Sequence, residues 1–169
     1  TIFPSQDGFS PTAALVRCTM IHGSHAMRHL TSDGKTWKDN RVRAERFGPT
    51  YEYGYGLLDI STVLRFNDSS FNMHVVDNEN IANGQLLTWF FNVTNSISNF
   101  SVSIAWTDPP GTPGVFAYTL SSDLDLSVLD SDGDWHYGNA RFAKDETYSR
   151  RAYRDRNNNN EQVTLEEPS

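Results

Sequence analysis

The sequence predicts a two-part chain: a helix-bearing segment over residues 1–66, then an antiparallel β-sandwich over residues 70–169. Three observations predict it. A capped apolar run, "SPTAALVRCTMIHG", lies near the start. Beyond residue 70 come short segments rich in β-branched and aromatic residues, and clusters of turn residues separate them.

In the first part, Ser10 reads as an N-cap and Pro11 as the first helical residue. Ala14, Leu15, Cys18, Met20 and Ile21 cover most of the circumference, so this helix should be largely buried before Gly23 ends it. Residues 30–49 are polar and charged and read as a surface loop. "YEYGYGLLDISTVLRF", residues 51–66, reads as a glycine-bearing turn followed by a short helix from about Leu58 to Leu64. The boundary between the parts falls near Phe66–Phe71.

In the second part the strand candidates are "FNMHVVD", "QLLTWFFNV", "FSVSIAWT", "LDLSVLD" and "EQVTLEE". Within the third, Val102, Ile104 and Trp106 face one way while Ser101, Ser103 and Ala105 face the other. That alternation suits an antiparallel sheet packed on one side. Pro109 and Pro110 cannot continue a ladder, so "WTDPPGTPG" is an architectural stop where the strand leaves the sheet. Asp132-Gly133 reads as a hairpin turn among solvated acids.

Composition narrows the function classes. With 14 basic and 21 acidic side chains the net charge is −7, against general affinity for nucleic acid. The single cysteine, Cys18, lies in an apolar run and reads as a small buried hydrophobe. No apolar run is long enough to span a membrane, and "TIFPSQDGFSP" lacks the basic start and apolar stretch of a signal peptide. Sequons at Asn67, Asn92 and Asn99 weakly favour a secretory route. Asn157 to Asn160 form a polar tract that reads as a loop.

The same segments resemble a known family. "FSPTAALVRCTMIHGSHAM" is similar to the helix behind the catalytic serine helix of subtilisin-like serine proteases. "YEYGYGLLDISTVLRF" is similar to the segment that closes their catalytic domain. "SVSIAWTDPPGTPG", "SSDLDLSVLDSDGDWHYGN" and "DRNNNNEQVTLEEP" resemble, in that order, the jelly-roll domain that some subtilases carry behind the protease. The resemblance covers nearly the whole chain except residues 30–48. It implies the fold class in full: an α/β fragment, the last helices of a subtilisin-like catalytic domain, then an all-β jelly-roll-like sandwich lacking its final strands.

What it implies about chemistry is peptide-bond hydrolysis by a triad that this chain does not carry. A subtilase triad runs Asp, His, Ser, and no Gly-Thr-Ser motif is present. The motif is expected upstream of Thr1, so no catalytic residue is assigned and the opening helices should rest on a layer outside the chain. Partners implied are the remainder of the protease polypeptide, in one chain or as a cleaved one, and a polypeptide substrate, with no nucleic acid and no membrane span. The sequons point to the route: secreted, or in the secretory or endolysosomal pathway.

His22, His25 and His29 have a helical spacing, but Gly23 and Ser24 interrupt it and argue against zinc. Ser10, Ser24 and Asp59 have no spacing that supports a triad. Asp123, Asp125, Asp130, Asp132 and Asp134 are dense in acid, yet "DSDGD" lacks the spacing and closing glutamate of an EF-hand. The resemblance implies a different calcium site, formed by Asp125, Asp155, Asn158 and Glu161. Arg150, Arg151, Arg154 and Arg156 weigh against it by repelling a cation. Two rival functions stay open: a glycan- or protein-binding adhesion module, and a structural component of a larger assembly, each carrying a degenerate protease relic.

Overall fold

The computed structural model describes residues 9–25, 28–30, 37–39, 49, 54–64, 71–93, 99–111, 120–139 and 154–165. Within them the chain forms one α-helix, one 3-10 turn and eight short strands joined as four antiparallel pairs. No described helix is long and apolar enough to cross a membrane. The described residues are therefore β-rich, with short ladders and a single helix among them. The boundary near Phe66 lies outside the described residues.

Helix α1 spans Ala13–His22. Its cap is Thr12, whose hydroxyl accepts the Leu15 N–H at 3.1 Å. The start therefore lies two residues beyond the expected one, and the reason is a distant carboxylate. Asp77 accepts the Thr12 N–H at 3.0 Å and the Thr12 hydroxyl at 2.6 Å, fixing Thr12 as the turning point. Gly23 ends the helix as expected, its N–H donating to Thr19 O at 3.0 Å. Its missing side chain matters because a Cβ there would stand 3.0 Å from both Asp59 O and Val63.

Two strands follow the helix, β1 (Ser24–His25) and β2 (Arg28–Leu30), and then β3 (Trp37–Asp39). β2 pairs with β3, so the expected surface loop contains a ladder. β1 pairs with β4 (Leu57–Leu58), and this displaces the expected second helix. With Leu57 and Leu58 drawn into a ladder, only a 3-10 turn, Ile60–Thr62, remains. Asp59 caps it by accepting the Ser61 N–H at 2.9 Å, while the Thr62 hydroxyl donates to Asp59 O at 2.7 Å. Side chains that bond the local backbone in this way hold a turn and compete with helix.

The longest ladder joins β5 (Phe100–Ala105) to β8 (Asn160–Leu165); β6 (Ser127–Leu129) and β7 (Trp135–Tyr137) form a hairpin. Opposite residues of an antiparallel pair share a face. One face of the β5–β8 pair carries Phe100, Val102 and Ile104 against Leu165, Val163 and Glu161. The other carries Ser101, Ser103 and Ala105 against Thr164, Gln162 and Asn160, with Ser101 and Thr164 hydroxyls 2.9 Å apart.

One-sided packing was expected here, yet every residue of β5 is half-buried. The small residues of the second face admit α1, whose His22 Nδ1 lies 2.9 Å from Ser103 Oγ. The Arg17 guanidinium also donates to Trp106 O. Part of the helix thus rests on strands of its own chain, where a layer from outside was expected. Val16 and Met20 remain about half exposed, at 46% and 51%.

The stop after β5 forms as read. Trp106 is buried, its indole N–H donates to Ser122 O at 2.9 Å, and Asp108 accepts the Ser121 and Ser122 N–H groups at 2.8 and 2.7 Å. The Asp132-Gly133 turn also forms, with Gly133 at φ 90° and Asp130 Oδ1 accepting the Asp132 and Asp134 N–H groups. Segments 71–77 and 85–93 take part in no ladder among the described residues. Strand period survives in the first: Phe71, Met73 and Val75 are half-buried while Asn72, His74 and Val76 are exposed.

Candidate functional site

Glu161 is the centre of the described polar architecture. It sits in β8, where period-two alternation turns Glu161, Val163 and Leu165 to the same buried side. It is 1% exposed. Its Oε2 accepts the Leu126 N–H at 2.7 Å, and its Oε1 is buried with no hydrogen-bond partner among the described residues. Gly138 closes the niche so tightly that a Cβ there would fall 2.2 Å from Oε2. Burial pushes the carboxyl up to about 8, and the charges of Asp125, Asp155 and Asp123 push in the same direction.

Around this carboxyl, turns bring the other predicted ligands. Asp155 organises residues 154–158: Oδ1 accepts the Asn157 and Asn158 N–H groups at 2.9 and 3.1 Å. Its Oδ2 accepts from the Asn158 amide at 2.6 Å and from the Asn139 amide at 2.7 Å. Asp125 stands next to Leu126 and pairs with Arg154. All four residues singled out for calcium therefore lie in one neighbourhood, drawn from chain positions 125 to 161.

The sequence reading missed Asn139 and Tyr55. Asn139 has φ 53°, a left-handed conformation that Asn tolerates better than most residues. Its N–H donates to Gln162 O at 3.0 Å and its Oδ1 accepts the Gln162 N–H at 3.1 Å, so the residue satisfies both backbone groups of Gln162 within β8. Its amide also donates to Asn160 O at 2.8 Å. The Tyr55 hydroxyl lies 2.7 Å from Oδ1 of both Asn139 and Asn160, its one proton serving one of them at a time. The usable signal was the Gly-Asn pair after a strand, a left-handed turn marker.

The donor set consists of hard oxygens, which is calcium chemistry. Glu161 Oε1 is the atom that fits a cation best, being buried and orphaned. The Asp155 oxygens are engaged by amide donors and Asp125 is paired with Arg154, as the local positive charge had warned. Among the described residues, no three His, Cys, Asp or Glu are gathered as a metal-binding group. Binding would require Arg154 to release Asp125.

The remaining candidates disperse. His22 is spent on Ser103, with burial lowering its pKa, and His25 lies in β1; the His29 side chain is outside the described residues. Ser24 donates to Met20 O and Asp59 caps Ser61, so neither belongs to a triad. The half-buried Cys18 thiol is pushed up to about 11 by burial and stays protonated at neutral pH. Asp130 pairs with His136 Nε2 at 2.8 Å within the hairpin. Arg150 and Arg151 lie outside the described residues.

No model of a known protein family and no characterised protein matches the chain.

Proposed function

We propose that this chain is the C-terminal part of a subtilisin-like serine endopeptidase: the end of a catalytic domain followed by a jelly-roll-like sandwich. Hydrolysis of the peptide bond belongs to an Asp–His–Ser triad upstream of Thr1, and the chain's own contribution is support. α1 would steady the helix that carries the serine, and the sandwich would anchor α1 from the other side through His22–Ser103 and Arg17–Trp106.

The observation that carries this reading is apolar surface left open. In residues 54–64 Val63 is buried, whereas Leu57, Ile60 and Leu64 are 56%, 54% and 48% exposed, and Val16 and Met20 on α1 share that condition. Surface of this kind belongs against another layer. The motif order, helix, Tyr-Gly-x-Gly turn, Trp-Thr-Asp-Pro-Pro stop, Asp-Leu-Asp-Leu strand, resembles that of subtilases, whose catalytic core would supply such a layer.

Calcium is part of the proposal. Glu161 would present Oε1, with Asp125, Asp155 and Asn158 completing the ligands. When bound, the ion supplies an electrostatic cross-link between β8 and the adjoining turns, resisting autolysis. The reading also places the protein on the secretory route, secreted or endolysosomal, with polypeptide as substrate. The intact natural protein should degrade unfolded casein, and a serine-directed sulfonyl fluoride should abolish that activity. Intact protein that leaves casein whole, with and without calcium, contradicts the proposal.

A further inference from the structure

We infer that Asn92 carries an N-linked oligosaccharide, and that this glycan covers the apolar strip formed by Leu86 and Phe90. The inference rests on the secretory route proposed above and not on peptidase activity.

Two independent observations meet at this point. First, Asn92-Val93-Thr94 is an acceptor sequon, and Asn92 is exposed. Second, the strip in which it lies has its most apolar side turned to solvent. Leu86 is 83% exposed and Phe90 is 94% exposed, while Trp89 and Phe91 are 49% exposed each. Exposure rises and falls along this stretch: Leu86 is followed by half-buried Leu87, and Phe90 stands between the less exposed Trp89 and Phe91, as in a period of two. Leu86, Phe90 and Asn92 share the outer side. Phe91, on the other, packs edge-on against His74 and meets Phe100 at a centroid distance of 5.5 Å.

An almost bare phenylalanine is costly in water, and its isolated exposure invites aggregation. A sugar attached two residues away on the same side has the reach and chemistry to cover it. The axial C–H faces of N-acetylglucosamine are apolar and lie flat on aromatic rings, while the hydroxyls face outward. The other described sequon, at Asn99, is exposed too but adjoins β5, where Phe100 is half-buried. Asn67 lies outside the described residues.

The attachment is a group transfer from a lipid-pyrophosphate-linked oligosaccharide. The Asn92 amide nitrogen bonds to the anomeric carbon, the carbon–oxygen bond to pyrophosphate breaks, and the lipid pyrophosphate leaves. The amide proton passes to a base on the transferase.

The test uses the full-length natural protein from cells that produce it. Peptide N-glycosidase F in heavy-oxygen water converts each glycosylated Asn to labelled Asp, which peptide mass spectrometry locates. Labelled Asp at position 92 is expected, with binding of a hydrophobic dye rising roughly twofold or more on deglycosylation. Phe90→Ser should keep the glycan and suppress that rise. Unlabelled Asn92 overturns the inference, and a label at Asn67 or Asn99 in that case leaves the secretory route standing. A labelled Asn92 with no change in dye binding overturns the covering role.

Discussion

The Leu126 backbone N–H donates to Glu161 Oε2 across 2.7 Å, joining the approach to one strand to the buried carboxyl of another. That contact is the only hydrogen bond the Glu161 side chain makes among the described residues, and it leaves Oε1 unpartnered. A carboxyl so placed holds its proton, and the consequence is a pH dependence with a definite sign.

Burial raises the Glu161 pKa from 4.5 in the unfolded chain to about 8. Across that window the native state keeps a proton that the unfolded state gives up, so stability falls as pH rises, by up to about 1.4 kcal/mol per unit. Above it both states are ionised and the slope vanishes. Glu161→Gln cannot ionise, so urea denaturation from pH 4.5 to 8 should show its advantage over wild type growing with pH. Parallel profiles would contradict the assignment. Calcium should raise the melting temperature of wild type above the window and leave that of Glu161→Gln unchanged.

Gly138 faces the same carboxyl. A Cβ at that position would fall 2.2 Å from Oε2 and 2.6 Å from the Glu161 Cβ, too close for any rotamer change to relieve. Gly138→Ala should therefore cost about 1–3 kcal/mol, the usual range for overpacking. The denaturation midpoint measures it, and an unchanged midpoint would show that the niche is looser than described.

Thr12 caps α1 while bonded to Asp77, 65 residues away. Thr12→Ala removes the cap and the hydroxyl half of the tie, leaving the backbone N–H bond to Asp77, and should cost about 1–2 kcal/mol. Asp77→Asn keeps the size and weakens the tie, so it should cost less. Hydrogen exchange at Leu15 and Val16 should quicken in both variants, since opening of the first turn frees those amides.

These contacts mark what could be read in advance. The Gly23 stop and the Asp132-Gly133 turn were legible because each depends on residues adjacent in sequence, and the end of the ladder at Trp106 because Pro109 and Pro110 cannot continue it. The Ser10 cap was wrong because Asp77 decided the matter from a distance. The second helix was lost because Leu57 and Leu58 satisfy their backbone against β1. Asp125, Asp155, Asn158 and Glu161 were named as a calcium set through family resemblance, and their proximity in the fold leaves that role a proposal. Asn139, which bonds to Asp155 and β8, was not named: one left-handed Asn has little signal until its partners in β8 are known.

The open side chains Val16, Met20, Leu57 and Ile60 predict how the isolated segment behaves. Residues 1–169 expressed alone should aggregate or bind a hydrophobic dye, because no described element covers those side chains. Sedimentation and dye fluorescence measure this. A monomer that unfolds cooperatively and binds no dye would show that the segment needs no further layer.

The most direct test of the account is the position of the reactive serine. The intact natural protein is treated with a fluorophosphonate probe, digested, and the labelled peptide sequenced. The account predicts one labelled serine in a Gly-Thr-Ser motif upstream of Thr1, with none of the serines in these 169 residues modified. A label on a serine within these residues, or no label on folded protein, would contradict it.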